Sequence, residues 1–206
     1  MVNACSRFSF TAKHIRVLEV GCGFGMTLSR IKYMYPNAEV YGIELSEEIA
    51  RIASNQFDVM EGDIETIKLP YPEGYFDYII FADILNQLIQ PESILKRMQP
   101  YLRHDGCFLC SIPNIMHWSA ILPVLQGKFT YQDTGILDKN NLRFFTLDSI
   151  IDMIKSCGMA INEIIGTSLE SDYTKEQLDL RKHIRTLPYI APEETFNVYQ
   201  YVFSTN

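Results

Sequence analysis

The chain has little that would suit it to a membrane, an oxidising compartment or a nucleic-acid partner. No apolar run approaches the ~18 residues of a membrane-spanning helix, so no membrane span is expected. The opening stretch Met1 to His14 lacks the long apolar core of a secretory signal, and the expected location is the cytoplasm. Cations are scarce: 18 Lys and Arg stand against 25 Asp and Glu, for a net charge of −7. They are scattered rather than clustered, which argues against a nucleic-acid footprint. Cysteines number five, Cys5, Cys22, Cys107, Cys110 and Cys157. An odd count in a chain able to fold without staples points to a reducing compartment. The Cys107-x-x-Cys110 pair lies in an apolar run that reads as a buried strand, and no second Cys or His pair stands at zinc spacing, so no metal is expected. Low-complexity tracts and internal repeats are also lacking.

What remains is ample core material. At 206 residues and 47% hydrophobic, the chain has the length and composition of one globular domain. Its first half alternates short β-rich runs with amphipathic, helix-length segments, the pattern of a parallel sheet with crossover helices. Strands are predicted at 15–20, 39–44, 57–61, 76–82 and 106–112, and helices at 26–35, 46–55 and 91–103. Ser46 with Glu47 and Glu48 supplies an N-cap and an acidic first turn, and Pro91 suits a first turn. Residues 113–145 lose the rhythm and read as an aromatic-rich insertion that should pack. A helix resumes at the N-cap Thr146 and stops at Gly158. A strand fits 159–166, a charged helix 172–186 and a last strand 196–203. The 206 residues therefore divide, within one domain, into a regular α/β half (1–112), an insertion (113–145) and C-terminal helices and strands (146–206).

The sharpest feature is Glu19-Val20-Gly21-Cys22-Gly23-Phe24-Gly25, where an apolar strand meets a glycine-rich turn and then a helix. Such a turn lets backbone approach a ligand and leaves helix N–H groups facing it, at the strand ends where nucleotides bind in open α/β sheets. Met26 stands where the third glycine of the dinucleotide fingerprint would fall, which weakens a nicotinamide oxidoreductase reading. Nineteen residues past Gly25, Glu44-Leu45 ends the second strand, where a carboxylate can accept both ribose hydroxyls. Gly62-Asp63-Ile64 follows the third strand, with Asp63 placed for an adenine amine and Ile64 for its ring. Ala82-Asp83 ends the fourth.

Taken in order, these segments resemble the class I S-adenosylmethionine-dependent methyltransferases over about residues 15–165. The resemblance implies a doubly wound, Rossmann-like α/β fold with a mostly parallel seven-stranded sheet, its last strand antiparallel and helices on both faces. It also implies S-adenosyl-L-methionine as methyl donor, held by Glu19, Gly21, Cys22, Gly23, Gly25, Glu44, Leu45, Asp63, Ile64, Ala82 and Asp83. A narrower likeness covers 111–147, in Ser111-Ile112-Pro113-Asn114-Ile115-Met116-His117-Trp118, Gly135-Ile136-Leu137-Asp138 and Leu142-Arg143-Phe144-Phe145-Thr146. It is similar to bacterial methyltransferases found with cell-surface polysaccharide biosynthesis. A small-molecule or carbohydrate acceptor and O-methylation are implied, with Asn114, His117, Trp118 and Arg143 as acceptor contacts.

Methyl transfer needs acceptor and methyl held in line, and an alcohol needs a base. His117 is the first candidate, because imidazole titrates near neutrality, and Asp83 is the second. Glu19 is costly at the end of an apolar strand unless it binds something such as the donor's amino group. Two departures remove titratable groups: Asn141 stands where similar proteins often carry histidine, and Asn86-Gln87 where Glu-His is common. Two rival readings therefore stay open, methylation of a small metabolite or quinone precursor, and a binding module that keeps the donor site without catalysis. A homodimer is also left open.

Overall fold

A computed structural model describes residues 14–169 and 173–206. Cys5 and most of the opening stretch read for a signal lie outside the described residues. Five strands, β1 Arg16–Val20, β2 Glu39–Glu44, β3 Asp58–Glu61, β4 Phe76–Ala82 and β5 Leu102–Pro113, follow the predicted alternation. Between them run α1 Met26–Met34, α2 Glu47–Ala53 and α3 Pro91–Met98. After β5 come α4 Trp118–Leu125, α5 Leu147–Ser156, β6 Ile161–Thr167, α6 Lys175–Ile184, α7 Glu193–Asn197 and β7 Gln200–Thr205. The strands form one seven-stranded sheet in the order β3-β2-β1-β4-β5-β7-β6. Six run in one direction, and β7 is antiparallel to both of its neighbours. This is the Rossmann-like doubly wound sheet expected from the sequence.

The central strands are apolar on both faces because both are covered. One core gathers Leu18, Phe81, Phe108, Leu95 and Ile154. The other gathers Val17, Leu28, Ile31, Val40 and Leu109 beneath α1. Among the described cysteines, Cys22, Cys110 and Cys157 are buried free thiols and Cys107 is half-buried. Burial pushes the Cys107 thiol up to about 11 and the Cys110 thiol well above its ordinary value, so both stay protonated within their strand. Among the described residues no His, Cys, Asp and Glu cluster is built to hold a metal ion, and no helix is long and apolar enough to cross a membrane.

Three elements depart from the sequence reading. The segment 113–145 contains a helix, α4, whose N-cap is a histidine and whose interior holds Pro123, so neither usual cap chemistry nor an unbroken period marks it. The third crossover helix ends at Met98 rather than 103. A short 3₁₀ turn carrying Pro100 intervenes, and β5 then begins early, with a register shift opposite Phe76 and Tyr78. The last strand begins at Gln200 rather than 196, because α7 takes Glu193–Asn197 and buries Phe196 against Trp118.

Candidate active site

Strand order reverses between β1 and β4, which flank the sheet's midline, and the functional side chains gather at the carboxyl ends of β1 to β5. The turn after β1 is fixed from two sides. Gly21 and Cys22 donate backbone N–H groups to the Ile43 carbonyl at 2.8 and 3.0 Å. Gly25 caps α1 in the left-handed region at φ 79°, and a Cβ there would lie 2.6 Å from the Phe57 ring. Any other residue at Gly25 would be strained and would also collide.

Beside this turn lies a cleft of about 370 Å³, walled by Gly21, Glu44, Leu45, Asp63, Ile64 and Gln87 among others. The Glu44 carboxylate accepts the Gly23 N–H on Oε2 and the Ser46 N–H on Oε1, both at 2.9 Å. That fixes its plane and leaves a lone pair free on each oxygen. Asp63 accepts the Glu65 N–H at 2.8 Å, and Ile64 is buried beside it.

Glu19 is 2% exposed, and its Oε2 has no hydrogen-bond partner. Burial raises its pKa to about 7, with a bond to Thr27 working against the rise. A buried, half-partnered carboxylate beside a glycine turn fits the cationic amino group of S-adenosylmethionine. The paired lone pairs of Glu44 fit ribose hydroxyls, and Asp63 with Ile64 fits adenine. The donor set therefore matches the group that the sequence implies.

Of the expected donor contacts, Asp83 lies in a second pocket, Glu19, Gly23 and Gly25 adjoin the cleft without lining it, and Cys22 and Ala82 turn away. The Cys22 side chain packs into the core against Gly42, where a Cβ would meet its sulfur at 2.5 Å. Burial, then the charges of Glu19 and Glu44, push that thiol up to about 12, so Cys22 brings no polar side chain to the cleft. Ala82 likewise packs against the core under α1 and does not line the cleft.

Gln87 also lines a second, smaller pocket of about 200 Å³, together with Asp83, Asn86, Asp138, Asn141, Tyr199 and Gln200. Asp83 has a positive φ of 57°. Its N–H donates to the Ser111 carbonyl and hydroxyl at 3.2 and 3.1 Å. Its Oδ1 accepts the Ser111 hydroxyl at 2.8 Å and the Gln200 amide. Oδ1 thus has two donors, and Oδ2 is the oxygen left for chemistry.

Ser111, Tyr199 and Gln200 were missed in the sequence. Gln200 lies 117 residues from Asp83, and only the placement of β7 beside β5 brings them together. The two departures noted in the sequence prove to be neighbours, since Asn86 donates to Asn141 at 2.5 Å.

The four acceptor contacts expected from the sequence are not at this pocket. His117 is 1% exposed and caps α4, its Nδ1 accepting the Ser119 N–H at 3.2 Å. That bond leaves the proton on Nε2, and burial together with Arg181 holds the pKa below its ordinary value. The imidazole is a structural cap, which corrects its assignment as base. His117→Ala should therefore cost about 1 kcal/mol of stability, read as a shift in urea midpoint, with methyl transfer per folded molecule unchanged.

Trp118 stacks on Phe196 at 4.4 Å, under the Arg181 guanidinium, and packs α4 against α6 and α7. The Asn114 amide donates to the Thr195 and Val198 carbonyls, both at 2.8 Å, and ties down the approach to β7. Arg143 donates to the Leu88 and Ile89 carbonyls and holds the rim of the cleft in place. Each of these side chains is committed to the fold.

A family model described as a methyltransferase domain matches residues 11–177. A demethylmenaquinone methyltransferase of Listeria welshimeri is 24% identical over 179 residues, spanning 76% of this chain and 75% of its own. A malonyl-[acyl-carrier protein] O-methyltransferase of Herminiimonas arsenicoxydans is 28% identical over 145 residues, 69% of this chain and 51% of its own. In fold, the chain is similar to a solved SAM-dependent methyltransferase from Archaeoglobus fulgidus, with a TM-score of 0.67 at 16% identity, covering 99% and 91% of the two chains. With the family matched over most of its length and a cleft whose groups fit the donor, the chain belongs to the S-adenosylmethionine-dependent methyltransferases of the methyltransferase domain family.

Proposed function

We propose that the protein methylates a hydroxyl oxygen on a small-molecule or sugar-linked acceptor, with Asp83 as the base. In this reading Glu19 takes the donor's amino group, Glu44 its ribose, and Asp63 with Ile64 its adenine. S-adenosylmethionine supplies an electrophilic methyl group on a sulfonium whose charge is lost as the methyl leaves. The observation that carries the reading is the second pocket, which holds Asp83, Asn86, Asp138, Asn141 and Gln200 and is joined to the donor cleft through Gln87. Asp83 Oδ2 takes the hydroxyl proton as the carbon–oxygen bond forms and the carbon–sulfur bond breaks. The clamp on Oδ1 holds that oxygen toward the acceptor, and in-line positioning supplies the larger share of the rate, roughly 7–11 kcal/mol in favourable systems.

A quinone precursor is the second reading. It is favoured by the likeness to the demethylmenaquinone methyltransferase and by exposed Leu45, Ile89 and Leu142 on the cleft wall. Tritiated-methyl S-adenosylmethionine offered with glycosides, sugar nucleotides and reduced naphthoquinones separates the two. Label in a sugar-linked product is the expected outcome. Label in naphthoquinols alone assigns the second reading, and donor binding without transfer to any of them reduces the protein to a binding module.

A further inference from the structure

We propose that the pocket beside Asp83 takes a hydroxyl-bearing group free of negative charge, reads one of its hydroxyls with Asn86, and turns away phosphate and carboxylate. The proposal rests on that pocket being the acceptor's place. The Asn86–Asn141 pair can be oriented by elimination. Asn141 Nδ2 faces the carbonyls of Ile136 and Gly135 at 3.0 and 3.4 Å, and carbonyls only accept. Its Oδ1 must then face Asn86, which can answer only with Nδ2. Asn86 Oδ1 is left without a partner on a residue 3% exposed. A buried acceptor lacking a donor is one that a bound group can satisfy.

The charged groups of the lining are of one sign. Asp83 and Asp138 are the charged residues there, and no Lys, Arg or His joins them. The amides of Gln87 and Gln200 already donate to Asp83. Asp138 Oδ1 takes the Asn140 N–H at 2.8 Å. Tyr199 keeps its phenol proton through the neutral range, because burial and then Asp83 raise its pKa. An anion would meet two carboxylates with no compensating cation, whereas a ligand bringing several O–H donors would find acceptors already in place. At about 200 Å³ the pocket is smaller than sites for drug-sized ligands, which limits the group inside it to one small ring or chain.

With S-adenosylhomocysteine saturating, ligand-observed NMR titration tests the proposal on two probe sets: methyl hexopyranosides and hexose 6-phosphates. The expected result is saturable millimolar binding of a neutral glycoside, at least tenfold tighter than its phosphate counterpart. Asn86→Leu should weaken that binding at least tenfold while S-adenosylhomocysteine still binds, which confirms that the variant is folded. Asp138→Lys should remove most of the phosphate penalty.

Three outcomes overturn the proposal: no saturable binding by any neutral glycoside, anionic probes binding as tightly as neutral ones, or full glycoside affinity in a folded Asn86→Leu protein. Glycosides that bind but accept no methyl would instead overturn the methylation reading and leave the recognition standing.

Discussion

Glu19→Gln should make the donor-free protein more stable at pH 8, by up to about 3 kcal/mol, while weakening its hold on the donor. In the folded chain burial raises the Glu19 pKa from 4.5 to about 7, and each unit of that rise is worth about 1.36 kcal/mol. The folded state therefore keeps a proton that the unfolded chain has already lost. Below pH 4.5 the group costs nothing; as the pH climbs to about 7 the cost accumulates, and above that it stays. Urea midpoints of the native protein should fall across that window relative to those of Glu19→Gln.

Binding runs the other way. An ammonium group pairs with the ionised carboxylate, so S-adenosylhomocysteine affinity should rise about tenfold per pH unit toward 7 and then level off. In the glutamine variant that slope disappears. Affinity at pH 8 drops roughly 10–100-fold, the value of a charge-assisted hydrogen bond. Calorimetric titration from pH 5.5 to 8 reads both effects, and a flat profile in the native protein would remove Glu19 from the donor site.

Asp83→Asn should lower the methyl-transfer rate by about 10²–10⁴-fold, the usual contribution of a general base, and change donor affinity by less than about threefold. The amide keeps the shape of the side chain and can still face Ser111 and Gln200, which hold Oδ1, so positioning survives while proton acceptance is lost. Single-turnover transfer to an acceptor identified by the labelling experiment separates the two contributions. Undiminished transfer would mean that positioning alone carries the reaction and that Asp83 is not the base.

The donor half of the molecule was readable in the sequence because its determinants are local. Glycines 21, 23 and 25 must follow an apolar strand, and an acid must end the next one. Strand, turn and helix then announce themselves within a few residues of each other. The acceptor side was opaque for the opposite reason. His117 has the chemistry of a base, and only the path of the chain after Asn114 shows that its ring nitrogen caps α4. Trp118 and Arg143 carry groups suited to a ligand, but each finds a partner in a distant segment, Phe196 in α7 and the carbonyls of residues 88–89. Gln200 has no local signature at all. The apolar alternation around it extends back across Phe196 and Val198, so a helix turn and a strand share one pattern and the boundary cannot be placed by period alone.

The position of β7 also bears on how the protein comes into being. β6 leaves the ribosome before β7, yet it has no hydrogen-bonded neighbour in the sheet until β7 slides between it and β5. Until then both β5 and β6 present open edges, which are templates for the wrong partner. The same insertion delivers Gln200 to Asp83, so the second half of the clamp on the proposed base arrives with β7. A nascent chain can thus build its donor cleft early while Ser111 alone holds Asp83, which separates cofactor capture from turnover in time.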